Sequence, residues 1–288
     1  ANCLPTFAYR LPVLITVSPL LHNGFTRPYL SQFHKYAFTM KERNTVSIND
    51  NSFTEKHKKE PQETPGLSLV IRRKITLVRH GITEWNKMFR YQGITDIPLS
   101  VEGEDQAKKA ALRLSCESVS RVISSPLKRS MKTAEIIADS VGCSTVESWE
   151  NLREVDFGAW EGLTVPQIKE KFGGDLFEKW KASQVDVTAT DGEDSDTVYK
   201  RASECAERIL DLKEEHLVVV GHGALFRTLL LPLIGIPRGN VFWKMKMDNC
   251  SLSGIGIDRK NRAFVVFFND TIHLRTKMDC IKDIPLPW

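Results

Sequence analysis

A short aliphatic run that passes directly into a cation, an imidazole and a glycine sets the frame for this chain: Lys74-Ile75-Thr76-Leu77-Val78-Arg79-His80-Gly81. Four or five apolar residues bounded by turn chemistry suit a buried strand better than a helix. The glycine lets the backbone leave the sheet sharply. The pattern returns at Leu217-Val218-Val219-Val220, followed by Gly221-His222-Gly223. An apolar run from Ala224 to Leu231 comes next and reads as a helix stopped by Pro232. A third strand, Arg121-Val122-Ile123, ends in Ser124-Ser125-Pro126. Leu127, Met131, Ala134 and Ala138 then continue at helical spacing, which places Arg129 in a first helical turn.

The intervening segments fit between these strands. Tyr91 to Ser100 is irregular, and Ser100 reads as the N-cap of a helix reaching Leu114, with Ala107, Ala110, Ala111 and Leu114 on one face. Asn151 to Gly162 reads as a structured loop and Pro166 to Phe172 as a helix. Val198, Ala202, Cys205, Ile209 and Leu212 mark a further amphipathic helix. Ser251–Ile257 and Ala263–Phe268 read as a terminal pair of strands. Strands alternating with helices predict an α/β fold with a mostly parallel sheet, whose strand carboxyl ends lie along one edge. Ligands of open α/β sheets bind at that edge, where helix N-termini offer N–H groups to anions.

Arg79 and His80, Arg129 and His222 would meet there as a compact cationic pocket. A guanidinium offers a tetrahedral oxyanion two parallel charge-assisted hydrogen bonds, so a phosphoryl group is the natural occupant. Its transfer needs positioning, charge neutralisation, a nucleophile and a proton donor. A histidine can be the nucleophile if its attacking nitrogen is unprotonated, and neighbouring arginines penalise the imidazolium. Glu154, on a loop among apolar neighbours, is the leading proton donor. Asn86 and Gln92 are placed to hydrogen-bond the phosphate or substrate. No acidic cluster suggests a metal, and no nucleotide-binding glycine loop is present. Glu161 and Trp160 read as loop packing, His216 and His273 as structural histidines, and Lys87 and Arg90 as solvated charge by default, with substrate contact as the alternative.

Charge decides which partners to expect. Residues 1–74 hold 11 Lys+Arg against 5 Asp+Glu, and the remainder 29 against 31. The body is therefore nearly neutral, which argues against a nucleic-acid footprint. No apolar stretch is long enough for a membrane span. Six scattered cysteines without metal spacing read as reduced thiols. The first 41 residues contain no Asp or Glu until Glu42, with Arg and Lys among Ser and Thr. That is the composition of an organelle transit peptide, and it points to chloroplast or mitochondrion, with the cytoplasm as the alternative. The expected organisation is an extension with a disordered linker over 1–66 and a catalytic domain over 67–288.

Several stretches carry a family resemblance. Leu77-Val78-Arg79-His80-Gly81 with Thr83, Trp85 and Asn86 continues through Gln92-Gly93, Asp96 and Pro98-Leu99. Ser124-Ser125-Pro126-Leu127 with Arg129, Thr133 and Ala134 follows, then Leu152, Glu154, Phe157-Gly158 and Trp160-Glu161-Gly162. Gly221-His222-Gly223 and Asn269-Asp270-Thr271 with His273-Leu274 close the set. It resembles the histidine phosphatase superfamily, in its phosphoglycerate mutase-like, phosphatase-type branch. The resemblance implies a three-layer α/β/α fold and a phosphohistidine intermediate on His80. It implies that Arg79, Arg129, His222 and Asn86 hold the phosphoryl group while Glu154 acts as acid and then base. Gln92, Gly93 and Gly223 join the expected phosphate or substrate contacts.

The expected activity is that of a metal-independent phosphomonoesterase, without a cofactor, acting on a small phosphorylated metabolite. The alternatives are a mutase, which returns the phosphoryl group to another substrate oxygen, and a protein-directed or non-catalytic role. The short interval from Glu154 to His222 looks like the phosphatase version, because mutases of this resemblance carry a longer insertion there. Gly221, Ala224 and Thr190–Ser195 depart from the usual residues, which bears on substrate contacts. The segment between Phe172 and Val198 is expected to wall the pocket. Nothing in the sequence reads on oligomeric state.

Overall fold

In the computed structural model of this chain the described residues are 70–182, 188–239 and 242–288. The extension expected over 1–66, with its transit-peptide and linker readings, and the expected domain start at Leu67 lie outside them. Among the described residues, six strands form one sheet: β1 (Ile71–Arg79), β2 (Arg121–Ser124), β3 (Val146–Ser148), β4 (His216–Gly221), β5 (Leu252–Asp258) and β6 (Ala263–Asp270). Their order is β3-β2-β4-β1-β5-β6. β3, β2, β4 and β1 run parallel, while β5 is antiparallel to β1 and β6 to β5. The helices are α1 (Glu84–Lys87), α2 (Val101–Leu114), α3 (Lys128–Val141), α4 (Val165–Phe172), α5 (Gly174–Ala182), α6 (Ser195–Asp211), α7 (Gly223–Leu233) and α8 (Ile272–Arg275).

The strand sequences explain the layers. Every residue of β4 is buried, so its apolar run shows no alternation, yet successive side chains still face opposite ways. Leu217 and Val219 pack with Ala202, Ile209, Leu225 and Leu229 of α6 and α7. Val218 and Val220 pack with Ala110, Leu114, Ala134 and Ile137 of α2 and α3. The sheet is thus clad on both faces, a three-layer α/β/α architecture with a mostly parallel centre.

Helix ends follow local chemistry. Ser100 caps α2 as the sequence predicts, its hydroxyl accepting from Gly103 N at 3.1 Å. α6 starts earlier than its apolar spacing suggests, because Asp194 accepts from the N–H groups of Asp196 and Thr197. Pro232 does not stop α7. It lies in the last turn, where only the missing N–H is lost, and Ile234 N still reaches Leu230 O at 3.1 Å. The turn ends instead at Gly235, whose φ of 70° is left-handed.

The strand order places the site. Arg79 pairs with Gly221 at the carboxyl ends of adjacent β1 and β4, and His80 N donates to Gly221 O at 2.9 Å. Ser124 ends β2 opposite Val220 of β4, and Ser125 N bonds Val220 O. Three strand ends therefore meet along one edge, with α7 and α3 starting beside them.

Candidate active site

His80 leaves the end of β1 and is 2% exposed. Its Nδ1 lies 2.7 Å from Gly81 O, which can only accept, so Nδ1 carries the proton and Nε2 keeps a lone pair. Burial, then the Arg129 and Arg79 guanidiniums, hold its pKa well below the usual range, so the ring is neutral. His222 is fully buried, and its ring centroid lies 5.1 Å from that of His80. Its pKa is likewise well below normal through burial and then Arg129. Ser125 Oγ sits 2.7 Å and Ser130 Oγ 3.2 Å from its Nε2. Its Nδ1 is buried without a partner among the described residues.

A cavity of about 410 Å³ opens in front of His80. Its wall includes Arg79, His80, Asn86, Gln92, Gly93, Arg129, Glu154 and Gly223, so eight of the nine expected site residues face one space. The ninth, His222, is buried beside His80 and is not one of the wall residues. Arg79 is held by a bond from Nη1 to Met247 O at 2.6 Å. Arg129 is fully buried and donates to Thr95 O and Gly93 O, at 2.9 and 2.7 Å. Burial pushes its pKa down to about 10, leaving it charged at neutral pH. Among the described residues, the Nε atoms of both arginines are buried without hydrogen-bond partners. Buried donors without acceptors are costly, and an anion in the cavity would satisfy them.

Two glycines make the space. Gly93 has φ of 53°, and a Cβ there would overlap the Glu161 carboxylate. A Cβ on Gly223 would come to 3.2 Å of Arg79 Nε, so the first turn of α7 approaches that guanidinium closely.

Thr83 organises the amides. Its side chain caps α1 and also donates to Gln92 Oε1 at 2.9 Å. Asn86 Oδ1 accepts from Thr83 N and Asn249 Nδ2. Asn86 and Gln92 therefore tie down their own turns with their oxygens, and their NH₂ groups are what they can offer an anion.

Glu154 is 8% exposed. Oε2 accepts from Ala224 N, and Oε1 accepts from Leu225 N and Val155 N, at 3.1, 2.9 and 3.0 Å. The N-terminus of α7 thus anchors the carboxylate beside the cavity. Arg153, its neighbour, pairs with Glu150 instead. Arg201 of α6 holds the loop from beneath, donating to Asn151 O, Arg153 O and Glu154 O and forming a buried salt bridge to Glu193.

Residues 75–271 match the family model described as histidine phosphatase superfamily, branch 1. The chain belongs to the histidine phosphatase superfamily. It is 35% identical to phosphoserine phosphatase 1 of Hydrogenobacter thermophilus, over 70% of this chain and 94% of that protein. It is 34% identical to a protein of Serratia proteamaculans named probable phosphoglycerate mutase, over 63% of this chain and 83% of that one. Among solved structures it resembles a mutant phosphoserine phosphatase of Entamoeba histolytica in complex with phosphoserine. That comparison has a TM-score of 0.61 and 28% identity, over 70% of this chain and 99% of the other. This histidine phosphatase thus matches its relatives across the part of the chain that builds the cavity.

Most of the rest of the wall was not foreseen. Arg90, Arg227, Tyr91, Phe157, Trp180, Trp243 and Asn249 all line the cavity. The segment after Phe172 supplies Trp180, but most of the remaining wall comes from elsewhere in this histidine phosphatase. Arg227 carried a readable signal, being the lone charge in the apolar helix α7. Lys87 stays outside and pairs with Glu84 and Glu102. Glu161 ties loops together through Ile94 N, Thr95 N and Phe157 N. His273 bonds Cys250 O, and His216 bonds Thr76 Oγ1.

Proposed function

We propose that this histidine phosphatase hydrolyses a small phosphate monoester through a phosphohistidine on His80. The carrying observation is the 2.7 Å bond from His80 Nδ1 to Gly81 O, which leaves Nε2 as the unprotonated nitrogen in a cation-flanked pocket. Nε2 attacks phosphorus, the N–P bond forms and the ester P–O bond breaks, and Glu154 gives its proton to the leaving oxygen. Water then attacks phosphorus while Glu154 takes a proton from it, the N–P bond breaks, and inorganic phosphate leaves. Arg79 and Arg129, with the amides of Asn86 and Gln92, hold the phosphoryl oxygens, and His222 packs beside the His80 ring. None of these steps is routed through a metal.

The relatives named above include a phosphatase and a mutase, so the acceptor of the phosphoryl group is what the first experiment must decide. Wild type, His80→Ala and Glu154→Gln are assayed in EDTA for phosphate release from a phosphomonoester panel, with 3-phosphoglycerate isomerisation alongside. We expect EDTA-resistant hydrolysis. It should fall at least ~10³-fold in His80→Ala and roughly 10²–10⁴-fold in Glu154→Gln. Isomerisation far exceeding hydrolysis would make the protein a mutase. Activity retained in His80→Ala would remove the phosphohistidine.

A further inference from the structure

The two ring nitrogens of His222 have different surroundings, and buried hydroxyls beside one of them decide which carries the proton. Nε2 lies 2.7 Å from Ser125 Oγ and 3.2 Å from Ser130 Oγ, and all three residues are fully buried. Nδ1 is buried with no hydrogen-bond partner among the described residues. The ring is neutral, because burial and then Arg129 hold its pKa well below normal. A neutral imidazole donates at one nitrogen and accepts at the other.

The hydroxyl protons distinguish the two tautomers. Ser130 Oγ donates to Gly221 O at 3.4 Å, so its proton has a backbone acceptor. Ser125 Oγ accepts from Leu127 N at 3.3 Å. For its own proton the described residues offer one acceptor, Nε2 of His222, at the shorter of the two hydroxyl distances. A buried donor without an acceptor is costly, so Ser125 donates and Nε2 is the unprotonated nitrogen. The proton of His222 is then on Nδ1. The backbone of Ser125 is held as well: its N–H bonds Val220 O, two residues before His222, and Ser124 Oγ donates to its carbonyl at 2.9 Å. Among the described residues nothing receives the Nδ1–H, and the neighbouring ring is His80, its centroid 5.1 Å away. In the phosphatase reading above, phosphoryl oxygens gather at His80, and they supply the acceptor that the side chains leave out. The opposite tautomer would turn a lone pair on those oxygens.

We propose that Ser125 is a positioning residue: its hydroxyl holds His222 in the Nδ1–H tautomer and makes this buried imidazole a donor to the phosphoryl oxygens beside His80. The use of that donor in turnover rests on the phosphatase reading, whereas the place of the proton does not.

The test is a proton–nitrogen-15 correlation spectrum of the histidine rings in the full chain at neutral pH, with His222→Gln identifying the signals. Wild type should show His222 protonated at Nδ1 alone. Ser125→Ala should move the proton to Nε2, because Ser130 Oγ can accept it while still donating to Gly221 O. Ser125→Thr, which keeps a hydroxyl, should keep the wild-type tautomer. Orthophosphate affinity, measured by calorimetry, should fall roughly 10–100-fold in Ser125→Ala and less than about threefold in Ser125→Thr. A wild-type proton on Nε2 overturns the proposal, and that spectrum needs no variant to fold. Nδ1–H retained in Ser125→Ala removes the assignment to Ser125, and a merely structural serine would give that result. A moved proton with unchanged orthophosphate affinity removes the donor role. None of these readouts needs turnover. If no ester is hydrolysed, the phosphatase reading falls by itself, and the spectrum still decides the place of the proton.

Discussion

Phe89 occupies a backbone conformation that side chains other than glycine pay for. Its φ is 55°, it is 83% exposed, and it stands on the wall of the cavity. The left-handed region costs a non-glycine residue about 1–2 kcal/mol, part of which glycine would return to unfolded-chain entropy. Phe89→Gly should therefore raise stability by about 0.5 kcal/mol in urea unfolding while raising KM, since the wall loses a ring. A lower urea midpoint with unchanged KM would contradict both parts. At this scale the sequence is informative where a residue follows a strand end. Arg79, His80 and His222 stand there, and their position gives them away. Tyr91 and Trp243 do not, because an aromatic residue in a loop has the same pattern whether it packs a core or faces a ligand. Arg201 was equally silent, since a cation between the apolar positions of an amphipathic helix carries no mark of what it will hold.

At the scale of elements, the acid is positioned by two helices. The N-terminus of α7 takes the carboxylate of Glu154, and Arg201 of α6 takes the carbonyls of the loop that carries it. Ala159 N to Thr190 O and Glu193 N to Asp156 O join that loop to the turn before α6. Arg201→Met would leave Glu193 buried without its cation, costing about 3–5 kcal/mol. It should also lower kcat per folded molecule, because Glu154 loses its support. Urea unfolding together with kcat corrected for folded fraction measures both. An unchanged corrected kcat would mean that α7 alone places the acid. The long elements were readable from their periodicity: α2, α3, β1 and β4 appear where the sequence predicts them, and α6 does so apart from its earlier start. β3, α5 and α8 were not, since three or four residues cannot show a period and α5 buries little more than Phe177 and Trp180. The loop joining Asn151 to Gly162 was recognisable as a loop, but its contacts to residues 190–193 depend on distant backbone that no local pattern encodes.

Among the described residues of the molecule, four histidines are held neutral in the interior. His216 and His273 are both pushed down to about 4, chiefly by burial, and His80 and His222 lie well below normal. In the unfolded chain each titrates at about 6.5. Their folded values are depressed, so the unfolded state binds more protons as pH falls below about 6.5. Stability is therefore full above that value and is lost progressively down to about pH 4. Urea unfolding at pH 7, 6 and 5 should show a steepening decline, with net uptake of two or more protons on unfolding. A flat profile across that window would mean these rings are not held neutral. The strand order carries a consequence for how the molecule comes into being. β4 lies between β2 and β1 although it follows both by many residues. A chain emerging from the ribosome must wait for His216–Gly221 before its two earlier strands gain their common neighbour. Until then each presents an open edge, competent to pair with another nascent chain. Synthesis that stalls before residue 216 should yield aggregation-prone fragments, whereas a pause beyond β4 leaves the two histidines already side by side.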